Sequence, residues 1–335
     1  MTQTNTQIRM RRHPQGMVTP QDFETTQTPL PELKDGEVLV RNMVLSLDPY
    51  MRPRMDPLRS YVPPLEIGEL MPGAAVGEVV QSREPALPEG AIVTGPLGWQ
   101  THAVLTRNIP RVRVLDPKLG PPSAALSVLG MPGVTAHYGL LKLADPQPGE
   151  TVVVTAASGA VGSVVGQIAK IKGCRVVGIA GGPDKCRYVT EELGFDACVD
   201  YRAADFEQQL AAATPDYVNI LFENVGGPVF DAVLNRVADH ARVALCGNIS
   251  QYNASEPYGI KGMRQLLMHR VTIRAFVIAD HNDYFPTALA ELSTWVKEGR
   301  IKYKEDLSKG LASAPEAFIR MLTGKNFGKQ LVQVG

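Results

Sequence analysis

Two hydrophobic patterns divide the chain. Up to about residue 128, short apolar runs at 37–45, 75–80 and 91–94 are separated by turns rich in proline and glycine, which is typical of a mainly β domain. From residue 151 onward, apolar runs alternate with stretches in which apolar residues recur every three or four positions. That alternation predicts parallel strands joined by crossover helices. The predicted fold class is therefore α/β, with a dinucleotide-binding domain and a β-rich domain.

The second half carries enough elements for a complete dinucleotide-binding sheet. We predict strands at 151–155, 175–180, 197–201, 217–222, 242–246 and 271–278. We predict helices at 184–193, 203–213, 228–238, 262–269 and 283–298. Six parallel strands in two halves make a Rossmann sheet. The tail adds a helix at 315–322 and a strand at 330–334, which we expect to return to the first domain. We place the domains at 1–128 with 301–335, and at 129–300.

The segment after the first of these strands has the composition of a phosphate-binding turn. Ala157, Gly159 and Gly162 occupy the three glycine positions of the dinucleotide fingerprint G-x-G-x-x-G. An apolar helix follows. The N-terminus of a helix offers unpaired N–H groups, and small side chains let a pyrophosphate approach them. A tight strand-to-helix turn without a ligand has the same local pattern, so this loop alone leaves both interpretations open.

The end of the second predicted strand indicates which dinucleotide binds. A site for NAD places an acidic residue there, on the adenosine ribose. This chain has Gly181 and Gly182 instead, followed by Lys185 and Arg187. The missing acid and the added basic residues suit a ribose 2′-phosphate. We therefore expect NADPH rather than NADH.

Polar residues follow the fourth and fifth predicted strands. Ligands of an open parallel sheet lie beyond the carboxyl ends of its strands. In the functional interpretation, Asn224 lets the nicotinamide ribose approach the backbone, and Tyr252 donates its O–H to a polarised oxygen. The alternatives are ordinary turn chemistry for Asn224 and a half-buried tyrosine with a satisfied hydroxyl for Tyr252.

Composition narrows the classes of function. Lys and Arg number 34, as do Asp and Glu, so no net charge attracts nucleic acid or anionic lipid. No apolar run is long enough for a secretion signal or a membrane span, so we expect a cytoplasmic protein without a membrane partner. The four cysteines lack C-x-x-C spacing and the histidines lack metal-ligand spacing, so we expect no zinc and no other metal site.

Several motifs resemble those of one enzyme family. They are LSLDPYMR at 45–52, AASGAVG at 156–162, FENVGG at 222–227, CGNISQYN at 246–253 and GKNFGKQ at 324–330. Together they resemble the zinc-free medium-chain dehydrogenase/reductase superfamily. Within it, the match is to the leukotriene B4 12-hydroxydehydrogenase/prostaglandin reductase group, which includes plant double-bond reductases and bacterial NADPH-dependent curcumin reductase. The similarity covers essentially the whole chain, and it departs at Ser158, where the group often has alanine.

The resemblance implies a fold and a set of site residues. The first domain would be a GroES-like substrate domain completed by the C-terminal segment, with NADPH in the cleft between the domains. Tyr50 and Tyr252 would face the substrate oxygen. The residues implied for the cofactor are Gly159, Ala160, Val161 and Gly162 on the pyrophosphate; Lys185 and Tyr201 near the 2′-phosphate; Asn224, Cys246, Gly247, Ile249, Ser250 and Tyr252 along the cofactor; Phe276, Val277 and Ile278 near the nicotinamide; and Asn326 closing the site.

The resemblance also implies a reaction. The chain would reduce the carbon–carbon double bond of a small α,β-unsaturated ketone or aldehyde, with hydride reaching the β-carbon and Tyr252 holding the enolate oxygen. The α-carbon would take its proton from Tyr252 or from water. An NADPH:quinone reductase and a non-catalytic NADPH-binding protein of the same superfamily stay open as alternatives, and the substrate itself does not transfer between members.

The sixth predicted strand bears on assembly. Residues 271–278 form an apolar run that would lie at the edge of the sheet. Pairing with the same strand of a second copy would cover that edge, which predicts a homodimer. Coverage by the chain's own residues is the alternative.

Overall fold

The structure is a computed structural model that describes residues 4–106, 108–109, 112–116, 118 and 120–335. The chain divides into two units, one of residues 1–126 with 305–335 and one of residues 127–304. The first is built on antiparallel strands and the second on alternating strands and helices.

Antiparallel pairing organises the first unit. Its N-terminal strands are β1 (Thr4–Met10), β2 (Phe23–Pro29), β3 (Glu37–Ser46), β4 (Ala75–Ser82), β5 (Ile92–Gly95), β6 (His102–Thr106) and β7 (Arg113–Val114). β1 pairs with β2, and β3 pairs with both β4 and β6. In the core, the buried ring of Trp99 stacks on Phe23 and meets Phe318 edge-on, each with a centroid distance of 5.6 Å.

The second unit is a Rossmann domain, as the sequence predicts. Its elements are α1 (Met131–Tyr138), β8 (Thr151–Thr155), α2 (Gly162–Ile171), β9 (Arg175–Ala180), α3 (Pro183–Arg187), β10 (Ala197–Asp200), α4 (Phe206–Ala213), β11 (Val218–Glu223), α5 (Gly227–Leu234), β12 (Val237–Leu245), α6 (Met263–Met268), β13 (Thr272–Ala275) and α7 (Phe285–Lys297). The strands are parallel in the order β10-β9-β8-β11-β12-β13. The direction of winding therefore reverses between β8 and β11, which is where a dinucleotide fold opens its ligand crevice.

Packing fixes β8 and the helix that follows it. Val152, Val153 and Val154 are fully buried, because helices cover both faces of a parallel sheet. A Cβ placed on Gly166 in α2 would lie 1.8 Å from Cζ of Phe195. Glycine is a poor helix former, but here it lets α2 approach the Phe195 ring directly. The start of α2 is thereby held at the end of β8.

The tail belongs to the first unit. It contains β14 (Glu305–Lys309), α8 (Ala314–Leu322) and β15 (Lys329–Gln333). β15 lies between β14, which runs parallel to it, and β3, which runs antiparallel. The last strand of the chain is therefore an internal strand of the β-rich sheet.

The sixth strand of the Rossmann sheet is shorter than the predicted 271–278. β13 ends at Ala275, and only the N–H of Phe276 still bonds to Leu245 O, at 3.4 Å. The Phe276 ring packs against Tyr138 and Phe222, at centroid distances of 5.7 and 6.4 Å. A 3-10 turn, Ile278–Asp280, follows. Aromatic packing thus turns the chain away from the sheet within a run that is mostly apolar.

Other boundaries also differ from the prediction. The helix expected at 228–238 ends at Leu234, and the strand expected at 242–246 begins at Val237. The pairing of β11 with β12 is irregular between Val218 and Ile220. Polar residues in this bulged part of β12 hide the alternation of a strand. The helix expected at 184–193 is α3 followed by a π-helical turn, Tyr188–Glu192.

Among the residues that the structure describes, no helix combines the length and the apolar character needed to cross a bilayer.

Candidate cofactor and active site

The loop between β8 and α2 has the geometry of an anion cradle. Ala156 adopts a left-handed backbone conformation, with φ at 52°, and its carbonyl accepts the N–H of Gly159 at 2.9 Å. A Cβ on Gly162 would lie 2.4 Å from Ala156 O, so only glycine fits there. Within the described part of the chain, the N–H groups of Ala160, Val161 and Gly162 have no backbone acceptor. These residues fit a pyrophosphate at the N-terminus of α2.

A buried carboxyl group organises the opposite side of the crevice. Glu223, the last residue of β11, is fully buried. Its Oε1 accepts hydrogen bonds from the Thr155 hydroxyl at 3.1 Å and from the N–H groups of Val225 and Gly226 at 2.5 and 2.6 Å. Its Oε2 is buried and has no hydrogen-bond partner. Burial raises the pKa of Glu223 to about 7, although its hydrogen bonds act in the opposite direction.

Two hydrogen bonds hold Asn224 against Thr155, the last residue of β8. The backbone N–H of Asn224 donates to Thr155 Oγ1 at 2.8 Å, and its Nδ2 donates to Thr155 O at 2.8 Å. The carboxyl ends of β8 and β11 are therefore joined at the point where the winding of the sheet reverses. The half-buried Asn224 side chain is held at this point in a single orientation.

The loop after β12 lies along the loop after β11. The N–H groups of Cys246 and Gly247 bond to Glu223 O, and that of Ile249 bonds to Asn224 O. A Cβ on Gly247 would lie 3.3 Å from the Tyr252 hydroxyl oxygen. The fold thus brings Asn224, Gly247 and the half-buried Tyr252 together, as expected from the sequence for one edge of the sheet.

The thiol of Cys246 lies in the same region. Burial, with a smaller contribution from the Glu223 charge, raises the pKa of Cys246 to about 12. The thiol therefore stays protonated at neutral pH, and its predicted place along the cofactor is that of a small neutral side chain.

Basic and aromatic side chains surround the glycines after β9. A Cβ on Gly181 would lie 3.0 Å from the Tyr201 hydroxyl oxygen and 3.1 Å from Arg202 Nε. Asp200 Oδ1 accepts the N–H groups of Gly182 and Arg202, at 2.9 and 3.0 Å, and so ties the two loops together. Lys185 is the third residue of α3, which begins directly after Gly182. This cluster fits the 2′-phosphate end of NADPH.

Arg202 and Glu223 are not predicted as site residues from the sequence, although both lie at these loops. Arg202 follows Tyr201 directly and lies 5.5 Å from the centre of its ring. A basic residue at the carboxyl end of the third strand was the available signal. Glu223 lies within the FENVGG motif, and an acidic residue that ends an apolar strand is itself a sign of a buried polar contact.

The first unit carries two further predicted residues, Tyr50 and Asn326. Tyr50 is half-buried in a short 3-10 turn, Pro49–Met51. The preceding Asp48 is buried, accepts the Ser46 hydroxyl at 2.5 Å and pairs with Lys329 at 2.5 Å. Lys329 Nζ also donates to Leu47 O at 2.7 Å.

Asn326 closes a turn of the tail. Its Nδ2 donates to Gly328 O at 2.9 Å, directly before Lys329. The segments that carry Tyr50 and Asn326 are thus connected through one buried ion pair, Lys329 with Asp48. That Tyr50 and Tyr252 share one substrate stays a prediction.

The residues predicted near the nicotinamide do not form a strand. Phe276 packs in the aromatic cluster described above, and Ile278, with 7% of its surface exposed, opens the 3-10 turn. Val277 precedes that turn. All three follow β13 at the carboxyl edge of the sheet, although the strand itself is shorter than predicted.

Titration of Glu223 gives a testable consequence for stability. The folded pKa of about 7 lies above the ordinary value of 4.5, so the contribution of the neutral acid is complete below about pH 4.5 and is lost as the pH rises through about 7. We expect the free energy of unfolding of the wild type to fall, relative to Glu223→Gln, between about pH 5 and about pH 8. Urea denaturation at several pH values measures this difference.

The matched control is Glu256→Gln, which changes an exposed glutamate. Its unfolding free energy should follow that of the wild type across the same range. A wild-type minus Glu223→Gln difference that stays constant with pH would contradict the buried, titrating carboxyl.

Comparison with known proteins places the chain in a family. Residues 6–110 match the model described as the N-terminal domain of oxidoreductase, and residues 160–294 match that of the zinc-binding dehydrogenases. Among the described residues, no three His, Cys, Asp or Glu side chains come together as a metal site.

Individual relatives align over almost the whole chain. NADPH-dependent curcumin reductase of Escherichia coli is 45% identical, with 99% of this chain and 97% of that protein covered. The NADP(+)-dependent 2-alkenal reductase of Nicotiana tabacum is 38% identical, with 99% and 98% covered. The crystal structure of CurA from Vibrio vulnificus in complex with NADPH is 45% identical and has a TM-score of 0.94, with 98% and 99% covered.

Proteins can share a fold with much lower sequence identity than the 38–45% found here over nearly the full length. Together with the Rossmann crevice and the phosphate loop, this identity shows that the chain belongs to the zinc-free medium-chain dehydrogenase/reductase superfamily, in the group of the prostaglandin, curcumin and 2-alkenal reductases.

Proposed function

We propose that the chain reduces the carbon–carbon double bond of α,β-unsaturated ketones and aldehydes with NADPH. The observation that carries this proposal is the position of the Tyr252 hydroxyl over Gly247, beside Asn224 at the switch point of the sheet. A phenol O–H at that place can donate to an oxygen that becomes negative during the reaction. The names of the relatives support the same chemistry, since they include curcumin reductase and 2-alkenal reductase.

Each part of the site has a role in this proposal. When bound, NADPH supplies the hydride that reduces the β-carbon of the substrate. The N–H groups of residues 160–162 hold the pyrophosphate, and Lys185, Tyr201 and Arg202 hold the adenosine 2′-phosphate. Asn224, Cys246, Gly247, Ile249 and Ser250 line the cofactor, and Asn326 closes the site.

Tyr252 is the catalytic residue of the proposal. Its O–H donates to the carbonyl oxygen of the substrate and stabilises the enolate as charge develops there. The α-carbon then takes a proton from Tyr252 or from water. Tyr50 orients the same carbonyl from the first unit, where the buried pair of Asp48 with Lys329 fixes the turn that carries it. The nicotinamide neighbours in the proposal are Phe276, Val277 and Ile278.

Tyr252→Phe tests this role directly. Loss of one donor to a developing oxyanion costs on the order of 10²–10³ in turnover, so we expect kcat for an enone to fall by about that factor. Cofactor binding should change little, because the ring and its packing are retained. Stopped-flow and steady-state oxidation of NADPH measure kcat, and cofactor fluorescence measures the Kd.

The same assay, run on enals, enones and quinones, separates the alternatives. Tyr217→Phe, at a tyrosine with 50% of its surface exposed, is the matched control and should keep wild-type turnover. Turnover confined to quinones would favour a quinone reductase. Tight NADPH binding with no turnover of any acceptor would favour a non-catalytic binding protein.

The proposed 2′-phosphate cluster makes a prediction about cofactor choice. Removal of one charged hydrogen bond costs about 1.5–3 kcal/mol, so Lys185→Ala and Arg202→Ala should each raise the KM for NADPH by roughly 10- to 100-fold. The KM for NADH should stay within about twofold, because NADH has no 2′-phosphate.

Arg187→Ala is the control for this pair of variants. Arg187 is paired with Asp184 on the exposed side of α3, so its loss should leave the ratio of the two KM values unchanged. An equal rise for NADPH and NADH in Arg202→Ala would remove Arg202 from the phosphate site.

We also propose that the chain forms a homodimer through β13. All four residues of this edge strand are exposed. Large apolar residues are also exposed on α6, which ends just before it; Met263, Leu267 and Met268 are 62%, 78% and 53% exposed. An uncovered strand edge beside an apolar helix suits pairing with a second copy. β13 is only four residues long, so side-chain contacts of α6 must supplement its pairing.

Light scattering tests the dimer. We expect the wild type to have twice the chain mass of 36.3 kDa at micromolar concentration, and Leu267→Asp to have the mass of one chain, because a charge would be buried at the interface. Leu58→Asp, at a residue 67% exposed in the first unit, is the control and should stay dimeric. A dimeric Leu267→Asp protein would place the interface elsewhere.

A further inference from the structure

Two of the four free cysteines are neighbours in space. Cys186 lies in α3 and Cys198 lies in β10, and their thiols are joined by a side-chain hydrogen bond. Both residues are partly exposed. The other two, Cys174 and Cys246, lie at the ends of different strands, and no such pairing joins them to each other or to this pair.

The packing of the sheet explains why these thiols meet. A Cβ on Gly178 would lie 2.8 Å from Val189 Cγ1 and 3.3 Å from Cys198 Sγ. The glycine thus lets both side chains occupy one space above β9. Cys186 comes three residues before Val189, in α3, and its thiol contacts that of Cys198. The contact is built into the sheet and does not depend on a loose loop.

This pair lies beside the proposed 2′-phosphate cluster. Cys186 follows Lys185 directly in α3. Cys198 comes two residues before Asp200, whose carboxylate holds the N–H groups of Gly182 and Arg202. A change in the distance between α3 and β10 therefore acts on both sides of the phosphate cluster.

We propose that Cys186 and Cys198 form a reversible disulfide that weakens the binding of NADPH. The disulfide is a modification site of its own, and only its effect on NADPH rests on the cofactor site proposed above. The sulfur–sulfur bond is about 2.05 Å long, shorter than any hydrogen-bond contact. Closing it draws α3 toward β10 and displaces Lys185.

The two thiols differ in the way that such chemistry requires. The hydrogen bond from Cys198 lowers the pKa of Cys186, whereas the same bond, together with burial, raises the pKa of Cys198. Cys198 is also the more deeply buried of the two thiols, so we assign Cys186 as the nucleophile and Cys198 as the resolving partner.

A peroxide is the oxidant of the proposal. The Cys186 thiolate attacks one peroxide oxygen, the O–O bond breaks, and a sulfenic acid and a hydroxide ion form; the hydroxide takes up the proton that the Cys186 thiol released on ionisation and becomes water. The Cys198 sulfur then attacks the sulfenic sulfur, the S–S bond forms, and the sulfenic oxygen leaves with the Cys198 proton as a second water. In sum, two thiols are oxidised, one peroxide is reduced, and two waters are released. A dithiol reductant reverses the reaction.

The test oxidises the whole protein with a few equivalents of hydrogen peroxide. We expect titratable thiols to fall from four to two and to return after dithiothreitol, and peptide mapping to find Cys186 joined to Cys198. Cys186→Ser should form no such link, and Cys174→Ser is the control that still forms it. Thiols that stay at four, or a link between other cysteines, would overturn the disulfide.

Binding of the cofactor is measured separately by fluorescence. We expect the oxidised wild type to bind NADPH at least about fivefold more weakly, with NADH affected less and dithiothreitol restoring the affinity. Oxidised Cys198→Ser should keep the affinity of its reduced form. A mapped disulfide that leaves the Kd for NADPH unchanged would overturn its effect on the cofactor. Peptide mapping does not depend on enzymatic turnover. The disulfide can therefore be tested even if the proposed reductase activity is wrong.

Discussion

The carboxyl group of Glu223 holds the active edge of the Rossmann sheet together. Its side chain binds the hydroxyl of Thr155 at the end of β8 and two N–H groups of its own loop. Its backbone carbonyl binds the two residues that follow β12. Three adjacent strands therefore meet at one residue, without contact with solvent. The loops after β11 and β12 are held by hydrogen bonds to this buried residue. The crevice can therefore keep its shape in the absence of a ligand.

Much of the Rossmann domain could be predicted from the sequence, because its signals are local and repeated. β8 and β9 have the predicted limits, since valine-rich runs end at turn residues on both sides. The prediction was wrong where one pattern fits two structures. The apolar run from Val271 to Ile278 reads as a strand throughout, but the rings around Phe276 end it early. Packing between residues that are distant in sequence produces no periodic pattern in the local sequence, so the end of this strand could not be predicted.

The candidate site shows the same division. The phosphate loop has a sequence fingerprint, because only small residues fit against Ala156. Arg202 and Glu223 have no such fingerprint, only their places at strand ends, since their importance comes from strands that are distant in sequence and adjacent in space. Arg202 comes beside Gly181 because β10 pairs with β9. The functions of Tyr50 and Asn326 were inferred from the resemblance alone, and no pattern of charge or hydrophobicity singles them out.

The pairing of β15 with β3 has a consequence for the order in which the chain folds. During synthesis most residues of the first unit precede the Rossmann unit, but the strand that completes their sheet, and the Lys329 that pairs with the buried Asp48, follow it. The Rossmann unit has a continuous sequence and can form in between. A nascent first unit therefore lacks part of the pairing of β3, and Asp48 lacks its charged partner, until β15 has been synthesised, and unpaired strand edges of this kind favour misassembly.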